Sequence, residues 1–221
     1  TNHTQLLKIA EYLEKEGYST ISPDLRGHGK SGYGDYKIGS FSRDMFSLLE
    51  KENIAKVGIV ASCASSNLAL HMKDENKSRI DNLVLLNLPN MTNINSKYRM
   101  YHILKHIFEP VISWRLKKKK TNRALDYSSS VVCTEKQHIN NVSKSMKFSY
   151  YLEVLEYFIH HKIRNSEAKE KVMLFKYDLS LVRKGYDFKP LGFSEIQLPK
   201  RRVGEMMIDH EFLYKLGKCF R

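Results

Sequence analysis

Three short, unbroken apolar runs limit most severely what this chain can fold into: V-G-I-V at Val57 to Val60, L-V-L-L at Leu83 to Leu86 and V-M-L-F at Val172 to Phe175. A strand with one wet face alternates apolar and polar residues. A continuous apolar strand needs cover on both faces, which is the situation of a parallel sheet. Parallel neighbours must be joined by a crossover of about a dozen residues or more, usually a helix, and helical patterns fall where such crossovers are needed. Leu6, Ile9, Ala10 and Leu13 share one face of a first helix that Thr4 can cap and Gly17 can stop. Ser42 to Glu50 reads as a second, with Met45, Phe46, Leu48 and Leu49 apolar. Asn67 to Met72 reads as a third, and an amphipathic segment runs from Phe212 to the end. The β-branched and aromatic run Tyr18 to Ser22, closed by Pro23, predicts one more strand.

The rhythm breaks after Pro89. From Ser96 to Lys171 the chain carries no strand of this kind and two helical patterns, the clearer one built on Phe148, Tyr151, Leu152, Leu155, Phe158 and Ile159. Strand character returns at Val172 to Phe175 and again near Glu205 to Ile208. The reading is an α/β fold: a mostly parallel sheet flanked by helices, with a helical insertion. Residues 1–95 and 172–221 form the core, and 96–171 form a cap or lid.

The stretch after the first apolar strand carries the chemistry. Ala61-Ser62-Cys63-Ala64-Ser65 is a run of small residues between that strand and a helix beginning near Ser66. A nucleophile elbow is built this way, because strand and helix crowd together two residues either side of the nucleophile. Cys63 would then sit at the sheet's carboxyl edge, with the backbone N–H of Ala64 and the helix dipole available to a developing oxyanion. A buried structural cysteine in a tight turn fits the local pattern as well, since neither glycine of G-x-S-x-G is present.

Upstream of the elbow stands E-Y-L-E-K-E-G-Y-S-T-I-S-P-D-L-R-G-H-G-K-S-G, from Glu11 to Gly32. This run strongly resembles the α/β-hydrolase superfamily, where a helix, a strand and a P-D-x-R-G-x-G-x-S loop precede the elbow at this distance. The resemblance spans most of the chain. Capped members such as monoacylglycerol lipases and carboxylesterases insert a lid where 96–171 falls. The resemblance implies an acid after the next strand, where Asp178 opens D-L-S-L-V, and a histidine near the last strand, where His210 stands in I-D-H-E-F-L-Y. Asp187 and Asp209 are alternatives for the acid, and His28 is read as structural. By themselves Asp178 could be a helix cap and His210 a surface residue; the order Cys63, Asp178, His210 is the family's nucleophile–acid–base order. Cysteine replaces serine at this position in dienelactone hydrolases and polyhydroxyalkanoate synthases, and A-S-C-A-S-S also resembles the elbow of the acyl-carrier thioesterases of bacterial luminescence over about a dozen residues. The family's H-G oxyanion loop would lie upstream of Thr1, and its strand would sit between those of Tyr18 and Val57. The resemblance therefore implies an N-terminal segment, with a second oxyanion donor, ahead of this sequence.

The expected activity is hydrolysis of an ester or thioester through an acyl-Cys63 intermediate. An acyltransferase or acyl-carrier thioesterase is the alternative within enzymes, and a non-catalytic binding protein of the same fold is the alternative outside them. No cofactor is expected, and nothing groups His, Cys, Asp and Glu at metal-ligand spacing. Cys63, Cys133 and Cys219 are too few and too scattered for a disulfide framework. No apolar run approaches the roughly 18 residues of a membrane span, and the residues from Thr1 do not read as a signal peptide, so a cytoplasmic location is expected. Lys and Arg number 37 against 24 Asp and Glu. Much of the excess lies in one place, where Lys97, Arg99, Lys105, Arg115, Lys117 to Lys120 and Arg123 are opposed by Glu109 alone. Such a patch could dock an acidic carrier protein or an anionic membrane surface, or be a solvated face. Without a zinc-finger, RRM-like or KH-like signature, no nucleic acid is expected. The predicted partner is a small acyl ester or thioester.

Overall fold

A computed structural model of the chain describes residues 6–26, 31, 37–88, 96, 100, 172–176, 194–197 and 209–220. The elements in chain order are α1 (Leu7–Lys15), α2 (Ile38–Lys51), β1 (Val57–Ser62), α3 (Ala64–Glu75), β2 (Ile80–Leu86), β3 (Val172–Lys176), β4 (Ser194–Gln197) and α4 (His210–Lys218). The four strands form one sheet in the order β1-β2-β3-β4, and every neighbouring pair is parallel. This is the α/β architecture the apolar runs require.

The run L-V-L-L shows why it had to be continuous. Leu83, Val84, Leu85 and Leu86 on β2 are all buried, but they face opposite ways. Leu83 and Leu85 join Phe41 of α2 and Leu68, Ala69 and Met72 of α3 in one core. Val84 and Leu86 join Ile9 and Leu13 of α1 and Phe212, Leu213 and Leu216 of α4 in the other. A strand residue points to the opposite face from its neighbour, so a strand between two cores has no position left for a polar side chain. Burial of each such leucine contributes about 2 kcal/mol.

The helix ends are set locally. Gly17 stops α1 as expected: it takes φ 91, its N–H donates to the Glu14 carbonyl, and the Tyr18 N–H donates to the Leu13 carbonyl. This paired arrangement satisfies two carbonyls of the last turn and needs a left-handed residue. Asn53 ends α2 in the same way at φ 55, with Ile54 donating to the Leu49 carbonyl. Asp209 caps α4, its side chain accepting from the N–H groups of Glu211 at 2.9 Å and Phe212 at 3.3 Å.

Several boundaries differ from the sequence reading. α2 starts at Ile38 rather than Ser42, and its buried residues are Ser40, Phe41, Ser42 and Leu49, with Met45 and Phe46 packed at the margin. Leu6, without a side-chain cap bond, precedes α1, and Thr4 lies outside the described residues. The strand expected at Tyr18 to Ser22 is not formed; these residues have no regular secondary structure. Among the described residues β1 is an outer strand, so the run has no neighbour with which to exchange backbone bonds. Tyr18 packs its ring 6.0 Å from that of Phe220 and the Thr20 hydroxyl donates to Glu14 at 2.6 Å, while Ile21 is 46% exposed. β4 was not anticipated, and the strand expected near Glu205 to Ile208 lies outside the described residues. So do the expected lid (apart from Ser96 and Met100), its basic patch, His28, Cys133, Asp178 and Asp187. No helix among the described residues is long and apolar enough to cross a membrane.

Candidate active site

The register aligns one transverse row of residues near the carboxyl end of the sheet: Ser62 beside Leu86, Leu86 beside Phe175, Phe175 beside Ile196. Cys63 and the N-terminus of the last helix are both placed relative to this row. Cys63 follows Ser62 directly, and its N–H donates to the Leu86 carbonyl at 2.9 Å, which carries the β1–β2 ladder one residue past the strand. The chain then turns at once into α3. Cys63 is the residue before that helix, at φ 54 and ψ −110.

That backbone conformation costs a non-glycine residue about 1–3 kcal/mol and persists only where the surroundings enforce it. Here strand and helix leave no room for a gentler turn. Ala61 and Ser66, which flank the turn, are buried, and Cys63 is partly exposed. The result is a thiol on the sharp strand-to-helix turn that a nucleophile elbow requires. α3 begins with Ala64, and no acidic side chain lies in its first turn. The N–H groups that open a helix have no partner four residues back, and the positive end of the α3 dipole lies on the side of Cys63.

His210 is the first residue of α4, two residues ahead of the Phe212 at which the amphipathic pattern begins, and it is exposed. Two contacts fix the direction of this helix. Phe212, two residues after His210, packs edge-on against Phe175 with ring centroids 5.3 Å apart. At the other end Phe220 lies against Gly58 near the start of β1, so closely that a Cβ there would be 2.5 Å from the ring. α4 therefore runs antiparallel to the strands and brings its N-terminus, with His210, to the carboxyl edge that carries Cys63. Phe175 is two strand spacings from Ser62, about 10 Å. Asp209 is occupied as the cap of α4. Of the remaining acid candidates, Asp178 follows the end of β3 by two residues in sequence and lies outside the described residues, as does Asp187. Among the described residues no three His, Cys, Asp or Glu side chains gather in a way that could hold a metal.

The loop motif upstream acts as a clamp. Arg26 makes a two-pronged ion pair with Asp44 of α2, Nε to Oδ2 at 2.7 Å and an Nη to Oδ1 at 2.6 Å, with its guanidinium over the Phe41 ring. The Ser31 hydroxyl donates to the Asp24 carbonyl. Two residues that sequence reasoning did not single out are Ser66 and Asn87. Asn87 ends β2 at φ 63 and donates its N–H to the Phe175 carbonyl at 2.9 Å. A polar residue breaking L-L-N-L-P was the only signal for it.

A family model described as alpha/beta hydrolase fold matches residues 2–137, more than half of the chain. The chain belongs to this family. Solved structures of similar fold include a meta-cleavage product hydrolase from Pseudomonas fluorescens IP01, at 13% identity and a TM-score of 0.62, covering 100% of this chain and 85% of that one. A hydrolase from Oleispira antarctica gives 14%, 0.67, 99% and 86%. A loop variant of a haloalkane dehalogenase from Bradyrhizobium elkanii gives 15%, 0.62, 99% and 84%. No curated protein matches the sequence.

Proposed function

We propose that the protein is a hydrolase that cleaves an ester or thioester through a covalent acyl-Cys63 intermediate. The observation that carries the reading is the conformation of Cys63, a residue held at φ 54 and ψ −110 between a buried parallel strand and a helix N-terminus. The family and the hydrolases among the similar folds support the class of reaction; the cysteine nucleophile rests on the turn geometry of Cys63. His210 takes the thiol proton as Cys63 Sγ attacks the acyl carbonyl carbon. The resulting oxyanion is held by the Ala64 N–H, and the tetrahedral centre collapses to the thioester as the departing alkoxide or thiolate receives the proton from His210. Water then gives a proton to the same imidazole and attacks the acyl carbon, releasing the carboxylic acid and restoring the thiol. Asp178 is the acid that would orient the imidazole.

Intact mass after brief exposure to p-nitrophenyl acetate or a short acyl thioester tests the proposal. The native chain should gain one acyl group and the Cys63→Ala variant none. An adduct that persists in Cys63→Ala removes Cys63 from the mechanism.

A further inference from the structure

The turn that holds Cys63 is strapped from beneath by one hydroxyl. Ser66 is 0% exposed. Its Oγ donates to the Asn87 carbonyl at 2.6 Å, with the Ala61 carbonyl 3.3 Å away as the weaker branch. A serine hydroxyl has one proton, so the bond to Asn87 is the principal one. The Ser66 backbone N–H also donates to the Cys63 carbonyl at 3.1 Å. One residue of α3 thereby grips the end of β1, the end of β2 and the peptide of Cys63. Its main acceptor is itself pinned, since Asn87 donates to Phe175 on β3.

A left-handed cysteine relaxes unless its neighbours prevent it. On the strand side the restraint is the bond from Cys63 N–H to the Leu86 carbonyl. On the helix side it is Ser66. We propose that Ser66 is a positioning residue for Cys63: the Ser66–Asn87 bond locks the first turn of α3 against β2 and keeps the thiol beside the N–H groups that open the helix. This inference rests on Cys63 being the reactive centre. When the strap is cut, the Cys63 backbone relaxes toward the extended region, and the thiol leaves the N–H groups and helix dipole that favour a thiolate.

A purely structural serine predicts the opposite sign. Cutting a structural bond loosens the turn, exposes the partly buried thiol and speeds its modification. The test measures iodoacetamide alkylation of the full chain at pH 7.5, read cysteine by cysteine in peptide mass spectra. In Ser66→Ala, Cys63 should react about tenfold more slowly while the rate at Cys219 stays as it was. Ser66→Thr, which keeps the hydroxyl, should recover most of the native rate, and Ser66→Val, equal in shape to threonine, should not. If Ser66→Ala fails to fold, the threonine–valine pair decides. A Cys63 rate that is unchanged or raised in Ser66→Ala, or equal rates in the pair, overturns the role of Ser66. A native chain whose Cys63 reacts no faster than Cys219 overturns both this inference and the proposed function; a preferentially reactive Cys63 that ignores Ser66→Ala overturns this inference alone.

Discussion

Two thiols in the described structure stand at opposite kinds of helix end. Cys63 precedes the first residue of α3, in a strained backbone that strand and helix enforce. Cys219 follows the last residue of α4 in an ordinary helical conformation, φ −71 and ψ −15, and its Sγ donates to the Lys215 carbonyl at 3.2 Å. Burial pushes the Cys219 thiol above its usual range, despite Lys215 and Lys218 in the same turn. A helix N-terminus favours a thiolate, while a C-terminal position and an apolar surround favour the thiol. The same side chain thus stands at a helix N-terminus in one position and is packed at a helix C-terminus in the other, and the proposed function assigns reactivity to the first alone. Position, not residue type, sets its chemistry.

The comparison breaks most visibly along α4, which carries His210 at one end and is followed by Cys219 at the other. His210→Ala should lower kcat for a p-nitrophenyl ester by about 10²- to 10⁴-fold, as loss of a general base does, whereas Cys219→Ala should leave kcat within about twofold. Comparable losses in both variants would mean that the two ends of the helix are not functionally distinct. A smaller effect separates the thiols directly. With iodoacetamide at neutral pH, Cys63 should outpace Cys219 by about tenfold or more, and unfolding in guanidinium should bring the two rates together. The smallest effect is a slope of stability against pH. Because the folded pKa of Cys219 is raised, the unfolded chain loses that proton first, so stability falls as pH rises from the ordinary thiol range near about 8.5. Chemical denaturation of native protein and Cys219→Ala at pH 7.5 and 9.5 should show a gap that changes with pH; parallel midpoints would contradict the burial effect.

What the sequence disclosed follows from which forces leave a side-chain trace. β2 was legible because a strand between two cores must be apolar at consecutive positions. β4 was not, because S-E-I-Q offers one apolar residue and its pairing with β3 is made by backbone groups. Tyr18 to Ser22 has the composition of a strand, but propensity without a ladder partner does not make one. Gly17 was readable as a stop because no other residue takes φ 91 easily; Asn53 fills the same role with a less distinctive side chain. At the site, the small residues around Cys63 betrayed the crowding of strand and helix. Ser66 did not stand out, since it is one more small residue in that run and its partners are carbonyls, which every residue possesses. The amphipathic pattern from Phe212 missed the start of α4 at His210, which is marked only by its polar cap, Asp209.

The transverse row from Ser62 to Ile196 also acts as a datum from which the rest of the chain is free to vary. β2 ends at Leu86 and β3, its next neighbour in the sheet, begins at Val172. The chain between them leaves at the carboxyl edge and returns at the amino edge of the neighbouring strand, as a parallel pair requires, while the register is held by the pairing of the strands themselves. Asn87 and Leu88, buried where the crossover departs, belong to the frame, since Asn87 donates to Phe175 and accepts from Ser66; changes that spare them leave in place the register that sets Cys63 against Leu86. The crossover beyond Leu88 is therefore like slack in a rope between two fixed cleats: its length can change while the strands it joins keep their alignment.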